Sequence, residues 1–304
     1  MNDKSEQNQS FQTDAGILFE NDAYAISAIR CIPEMQIGTR PPPLVIAIHG
    51  GTYHSGYFDI AGYSLVHRAA DLGIPILALD RPGYGRSTAF PRADATITHN
   101  AERLNEVIGK IWEQFQTQLP GIVLIGHSIG GAIAVRIASV HPQWPLLGIA
   151  ISGVGLASPP EAGDAWASLP DVAMIDLPAP MKNAVMFGPE WTYDSVMPTA
   201  SRPADAPVPR AELIDIVTAW PALVHELAAK IKVPVHYRQG EFDKLWMTDV
   251  DQVLKFGKAF SASSSVDARL LESTGHCIDF HRVGAGFQLE QLAFALRCTV
   301  ERPR

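Results

Sequence analysis

The stretch Gly121 to Gly131, Gly-Ile-Val-Leu-Ile-Gly-His-Ser-Ile-Gly-Gly, constrains this chain more than any other. Ile122 to Ile125 is a short apolar run of the kind that forms a parallel strand buried on both faces. Gly126-His127-Ser128-Ile129-Gly130 follows as a G-x-S-x-G motif, and the small apolar residues Ala132 to Val140 continue as a helix. A strand, a serine between two glycines and a helix, in that order, are the setting of a nucleophile elbow. So tight a turn has no room for side chains at Gly126 and Gly130. It pushes Ser128 out at the strand's C-terminal end, beside a helix N-terminus whose free N–H groups favour negative charge.

A serine nucleophile needs a base, a group that orients the base, and donors for the developing oxyanion. Each is available at a strand end. The strand Leu44 to Ile48 runs into His49-Gly50-Gly51-Thr52, where the glycines let backbone N–H groups approach a bound carbonyl. One oxyanion donor is expected to be the N–H of Ile129, and the other that of Gly51 or its neighbour Thr52. The acid is expected at Asp243, in the loop after the strand Val233 to Tyr237. Glu241 is its nearest competitor, Asp249 lies further along, and an acid of the preceding segment is a minor alternative. The base is expected at His276, which follows the strand Val266 to Leu271 across a turn permitted by Gly275. The side chain of His127, inside the elbow, is expected to point away from the site. His49, His54 and His281 are placed near the pocket without a required role.

The rest of the chain reads as strands alternating with helices, which implies a mostly parallel sheet with helices on both faces. Residues 1–12 read as a disordered tail. Ile17 to Phe19 and Ala23 to Ile32 read as an antiparallel pair, and Tyr57 to Leu72 as a helix closed by Gly73. Ile74 to Leu79 is a strand. Asn100 to Phe115 is an amphipathic helix, with Leu104, Val107, Ile108, Ile111, Trp112 and Phe115 at helical spacing. Leu146 to Ile151 is a further strand, and Leu289 to Leu296 marks a C-terminal helix. The rhythm breaks between Gly153 and Pro221, where eleven prolines occur and no strand is evident. A connection that long is an element of its own. It is expected to be an inserted lid over residues 154–221, with the core formed by 13–153 and 222–304. Its nine acids against three bases make it the seat of most of the chain's net charge of −8. That charge is expected to disfavour anionic ligands.

The negative charge argues against nucleic acid or an anionic membrane as a partner. No apolar run approaches the roughly 20 residues that span a bilayer. Three cysteines without short spacing, and a polar N-terminus without an apolar signal segment, point to a reducing, cytoplasmic setting. No metal-ligand cluster or phosphate loop is evident, so no metal or cofactor is expected.

The chain order Ser128, Asp243, His276 is that of the α/β-hydrolase fold. From residue 15 onward the sequence resembles lid-bearing serine hydrolases of that superfamily. The resemblance rests on His49-Gly50-Gly51, the Asp80 to Ser87 loop, Gly126 to Gly130, Gly240 to Asp243 and Gly275-His276. It implies a triad of Ser128, Asp243 and His276, with Gly51 and Ile129 lining the oxyanion hole and Thr52 and His49 as further candidates. Thr52-Tyr53-His54 after Gly51 departs from the longer glycine run of the hormone-sensitive-lipase branch. A serine nucleophile argues against haloalkane dehalogenases and epoxide hydrolases. The expected reaction is carboxylesterase-like, the cleavage of a neutral, largely apolar ester, lactone or related acyl compound through an acyl-enzyme. The rivals are a thioesterase or acyltransferase with the same triad, a cofactor-free lyase or carbon–carbon hydrolase, and, least favoured, a non-catalytic small-molecule receptor.

Overall fold

The computed structural model describes residues 13–34 and 40–300. The tail expected over residues 1–12 lies outside them. In chain order the elements are β1 (Asp14–Glu20), β2 (Ala25–Cys31), β3 (Leu44–Ile48), α1 (Leu65–Asp71), β4 (Ile76–Leu79), α2 (Ile97–Phe115), β5 (Ile122–His127), α3 (Ile129–Ser139) and β6 (Leu146–Ser152). A long segment then carries α4 (Pro160–Ala167), β7 (Met174–Ile175), α5 (Ala179–Met186), α6 (Met197–Ala200), β8 (Val208–Pro209), α7 (Arg210–Val217) and α8 (Ala219–Ala229). β9 (Val235–Gly240), α9 (Val250–Ala259), β10 (Val266–Leu271) and α10 (Gly284–Cys298) complete the chain.

Eight strands form one sheet in the order β1-β2-β4-β3-β5-β6-β9-β10. β1 and β2 pair antiparallel, and β2 meets β4 antiparallel. Every pairing from β4 to β10 is parallel. The inner strands are apolar on both sides because both sides are covered. In β3, Leu44, Ile46 and Ile48 join the core under α2, α3, α8 and α9, while Val45 and Ala47 join the opposite core under α1 and α10. β5 divides the same way, Ile122 and Leu124 to the first face and Val123 and Ile125 to the second. The apolar stripe of α2 is buried from Leu104 to Ile111, and each such side chain contributes about 1.5–3 kcal/mol.

The helix expected over Tyr57 to Leu72 is shorter than its apolar residues imply. A 3₁₀ turn covers Ser55–Phe58, and α1 begins only at Leu65. Gly62 at φ +79° breaks the run, and Ser64 caps α1 by accepting from the His67 N–H. The segment between β6 and β9 holds a two-residue ribbon, β7 paired with β8, where no strand was evident in the sequence. It has a small core of Ile175, Leu177, Val208 and Leu213, shared with Tyr84. The large apolar residues of this segment divide: Met186, Phe187 and Met197 are buried, whereas Met174, Met181 and Trp191 are exposed.

Candidate active site

β5 ends at His127 and α3 begins at Ile129, so one residue, Ser128, makes the whole turn. Its φ of +54° is a conformation that non-glycine residues rarely adopt. The strain is held by backbone packing. A Cβ on Gly126 would lie 2.5 Å from the Gly130 carbonyl oxygen, and one on Gly130 would overlap the Ile48 carbonyl oxygen. The Ser128 N–H is anchored on the Ser152 carbonyl of β6 at 2.8 Å. Ser128 itself is largely buried and faces a cleft.

Asp243 and His276 come from the loops after β9 and β10, adjacent parallel strands whose C-terminal ends lie together. Their side chains meet, with His276 Nδ1 2.7 Å from Asp243 Oδ2. Asp243 is fixed by two further donors, Gln239 Nε2 at 2.6 Å and the Leu245 N–H at 2.8 Å. The competing acids are occupied elsewhere. Glu241 accepts from the Ser273 N–H at 2.8 Å and so braces the turn after β10. Asp249 caps α9 by accepting from Gln252. His276 lines the same cleft as Ser128. No hydrogen bond joins the Ser128 hydroxyl to His276 among the described residues, and such bonds commonly close only when substrate is bound.

The loop after β3 wraps this turn. A Cβ on Gly50 would lie 2.8 Å from Ser128 Cβ, and one on Gly51 3.2 Å from the Ile129 side chain. Gly51, Thr52 and Ile129 line the cleft with Ser128. Thr52 also has a positive φ, +64°. His49 does not line the cleft. It is buried, its Nδ1–H donates to the Gly50 carbonyl at 2.7 Å, and its Nε2 accepts from the Arg81 N–H at 3.1 Å. Burial drives its pKa well below the ordinary range, which keeps the ring neutral. The His127 ring lies behind the site, stacked on Tyr57 at 4.7 Å with 4.9 Å to the His276 ring. His54 caps the 3₁₀ turn. His281 Nδ1–H donates to the Cys277 carbonyl, which leaves Nε2 to accept from the Gly188 and Gly275 N–H groups at 3.1 and 2.9 Å. It therefore steadies the residue just before His276.

Three charged residues that the sequence reading did not single out frame the site. Arg81 and Glu212 form an ion pair at 2.7 Å with both side chains fully buried. Arg81 also donates to the Gly50 carbonyl at 3.0 Å, and Tyr84 and Asn100 donate to Glu212. Burial pushes the Glu212 carboxyl up and Arg81 pulls it back. On Arg81 burial acts against the charge, and Glu212 more than offsets it. Lys182 Nζ donates to the Thr52 carbonyl at 2.6 Å and pairs with Asp205 at 2.5 Å. A charge directly after the apolar run of β4 was a signal for Arg81. Glu212 and Lys182 sit in the irregular segment, where no periodicity marks them.

The cleft is walled by Trp166, Leu177, Met186, Leu213, Ile216 and Trp246. None of the nine acids of residues 154–221 lines it. Glu212 is paired inside the protein and Asp205, itself exposed, pairs with the buried Lys182, while Asp171 and Asp194 pair at the surface with Arg92 and Arg282. The expected charge barrier at the mouth of the cleft therefore has no acid lining the cleft to create it. Apolarity of the wall is what the cleft presents.

Comparison with known proteins matches residues 45–284 to the model of the Alpha/beta hydrolase family. Bovine protein phosphatase methylesterase 1 is 32% identical over 113 residues, which are 37% of this chain and 28% of that protein. The chain thus matches less than a third of that relative's length. Mouse monoglyceride lipase is 27% identical over 124 residues, 40% of this chain and 38% of that protein. Among solved structures, a soluble variant of monoglyceride lipase from Saccharomyces cerevisiae superposes with a TM-score of 0.70 at 18% identity, covering 97% of this chain and 98% of that one. At that identity the likeness is one of fold. With the family match running from β3 through His276 to the start of α10, and the sheet order and strand-end loops as described, the chain belongs to the alpha/beta hydrolase family.

Proposed function

We propose that the protein is a serine hydrolase that cleaves neutral, largely apolar carboxylic esters or lactones through an acyl-enzyme on Ser128. The observation that carries this reading is the 2.7 Å contact between His276 and Asp243 at the cleft that the strained Ser128 faces. Ser128 Oγ attacks the acyl carbon and its proton passes to His276 Nε2. Asp243 holds Nδ1–H and stabilises the charged imidazole. The carbonyl oxygen becomes an oxyanion beside the Ile129 N–H and that of Gly51 or Thr52. Collapse breaks the bond to the leaving oxygen, which takes the proton from His276 and departs as the alcohol. Water then attacks the acyl-Ser128 ester, gives its proton to His276, and the acid leaves as Ser128 is reprotonated.

The wall of the cleft supports the substrate class. Beyond Ser128 and His276, its side chains are apolar except for Thr52 and Ser158, so a carboxylate or phosphate there would lose hydration without gaining a partner. The segment between β6 and β9 acts in this reading as the lid, since it supplies Trp166, Leu177, Met186, Leu213 and Ile216 to the wall. A panel of p-nitrophenyl esters, lactones, acyl thioesters and β-diketones tests the reading. Turnover of esters or lactones that Ser128→Ala abolishes supports it. Turnover confined to thioesters or β-diketones, or surviving in Ser128→Ala, overturns it.

A further inference from the structure

We propose that Lys182 is a positioning residue for the oxyanion donors, so that docking of α5 completes the catalytic site. The inference rests on the serine-hydrolase reading above and adds a residue to it. Lys182 and Met186 lie one turn apart on α5. Met186 lines the cleft, while Lys182 reaches past it to the loop after β3. There Lys182 Nζ donates to the Thr52 carbonyl at 2.6 Å, and the Ala206 N–H donates to the same oxygen at 3.0 Å. Lys182 also sits over the Tyr53 ring at 3.4 Å. The neighbouring residues are tied to the same segment, with Tyr53 bridged to Asp205 and the His54 N–H donating to the Ala204 carbonyl at 3.0 Å.

Thr52 needs this support. It is β-branched and holds φ at +64°, a conformation that persists only where its surroundings enforce it. A carbonyl gripped by two donors fixes the peptide plane that follows Thr52, and in this proposal it thereby restrains the backbone that carries the Gly51 and Thr52 N–H groups. The choice of residue points the same way. Lys182 is 4% exposed, and burial pulls its pKa down against the partly offsetting pull of Asp205. A methionine, one atom shorter, would fill most of the same space without a buried charge, and apolar replacements of buried ions are often as stable or more so. What methionine cannot do is hold the Thr52 carbonyl with a short charge-assisted bond.

The experiment compares Lys182→Met, Lys182→Gln and Asp205→Asn with the wild type. The readouts are the rate constant of Ser128 phosphonylation by a fluorophosphonate, kcat and KM on a p-nitrophenyl ester, and the melting temperature. Phosphonylation also builds negative charge on an oxygen at the donors, so it reads their placement without a natural substrate. Lys182→Met is expected to lower the phosphonylation rate and kcat by about 10- to 100-fold with KM within about threefold, less than the loss of a whole donor. Lys182→Gln, which keeps a shorter neutral donor, should fall between. Asp205→Asn should lower the melting temperature yet keep both rates within about threefold of wild type. A folded Lys182→Met reacting at the wild-type rate overturns the proposal, as does a rate loss equal in Lys182→Met and Asp205→Asn. If Lys182→Met does not fold, the glutamine variant decides, and wild-type rates there overturn the proposal. A wild-type protein that the probe leaves unlabelled overturns the serine-hydrolase reading itself.

Discussion

His276 Nδ1 and Asp243 Oδ2 stand 2.7 Å apart although 33 residues separate them, because β9 and β10 are parallel neighbours whose loops leave at the same end. Asp243 accepts from three groups in all, so the carboxylate that holds the imidazole is itself held. In the proposed mechanism this fixes the imidazole tautomer. Asp243→Asn is therefore expected to lower kcat by roughly 10⁴-fold, with the melting temperature changed by a few degrees only. Glu241→Gln, at the acid that braces Ser273, should stay within about threefold of wild type. Steady-state kinetics on one ester checks both, and the reverse ranking would assign the acid to Glu241.

Arg81 and Glu212 tie the loop after β4 to α7. Removing one partner leaves a buried charge without its counterion, which costs about 3–5 kcal/mol. Glu212→Leu is expected to lose that amount, and Arg81→Met combined with Glu212→Leu should recover most of it. Urea unfolding of the two single variants and the double variant measures the coupling. A loss in the double variant equal to the sum of the two single losses would show the pair to be energetically independent.

Acid should loosen the turn that carries His276. Burial holds the His281 pKa down at about 4, against an ordinary value of 6.5. Its Nε2 accepts from Gly188 and Gly275 only while unprotonated. A group whose folded pKa lies below its unfolded value stabilises the fold fully above pH 6.5 and loses that contribution as pH falls towards 4. The span is worth about 3 kcal/mol. Urea midpoints measured from pH 7 to pH 4 should fall, and should fall less steeply in His281→Gln. An equal slope in the variant would assign the acid sensitivity to other groups, of which His49 and His127 are also held low by burial.

Most of the architecture was legible because it follows from periodicity and turn chemistry. β3 and β5 are continuous apolar runs, as strands covered on both faces must be, and Gly126, Ser128 and Gly130 mark the elbow by steric necessity. Asp243 and His276 were legible from their places after strands. The framing residues were not. Lys182 reaches Thr52 across 130 positions and Glu212 reaches Arg81 across 131, and no local pattern encodes such a meeting. Misreading Tyr57 to Leu72 as one helix had a local cause. Apolar residues continue through the segment while Gly62 and the Ser64 cap, both weak signals in isolation, divide it.

Selectivity for neutral substrates is expected to come from the apolar wall of the cleft. An ester with a terminal carboxylate should react far more slowly than its neutral counterpart of equal length. That ratio should change less than about twofold between low and high salt, because no acid side chain lines the cleft to be screened. Paired kinetics at two ionic strengths checks this. A ratio that collapses at high salt would restore the role of the surface acids.

The role of Ser128 is tested most directly by trapping the covalent intermediate. The protein is mixed with a p-nitrophenyl ester, quenched within one turnover and digested, and the peptides are mapped by mass spectrometry. The expected result is one acyl group of the ester's mass on Ser128, and none in Ser128→Ala. An acyl group on any other residue, or continued turnover by Ser128→Ala, would contradict it.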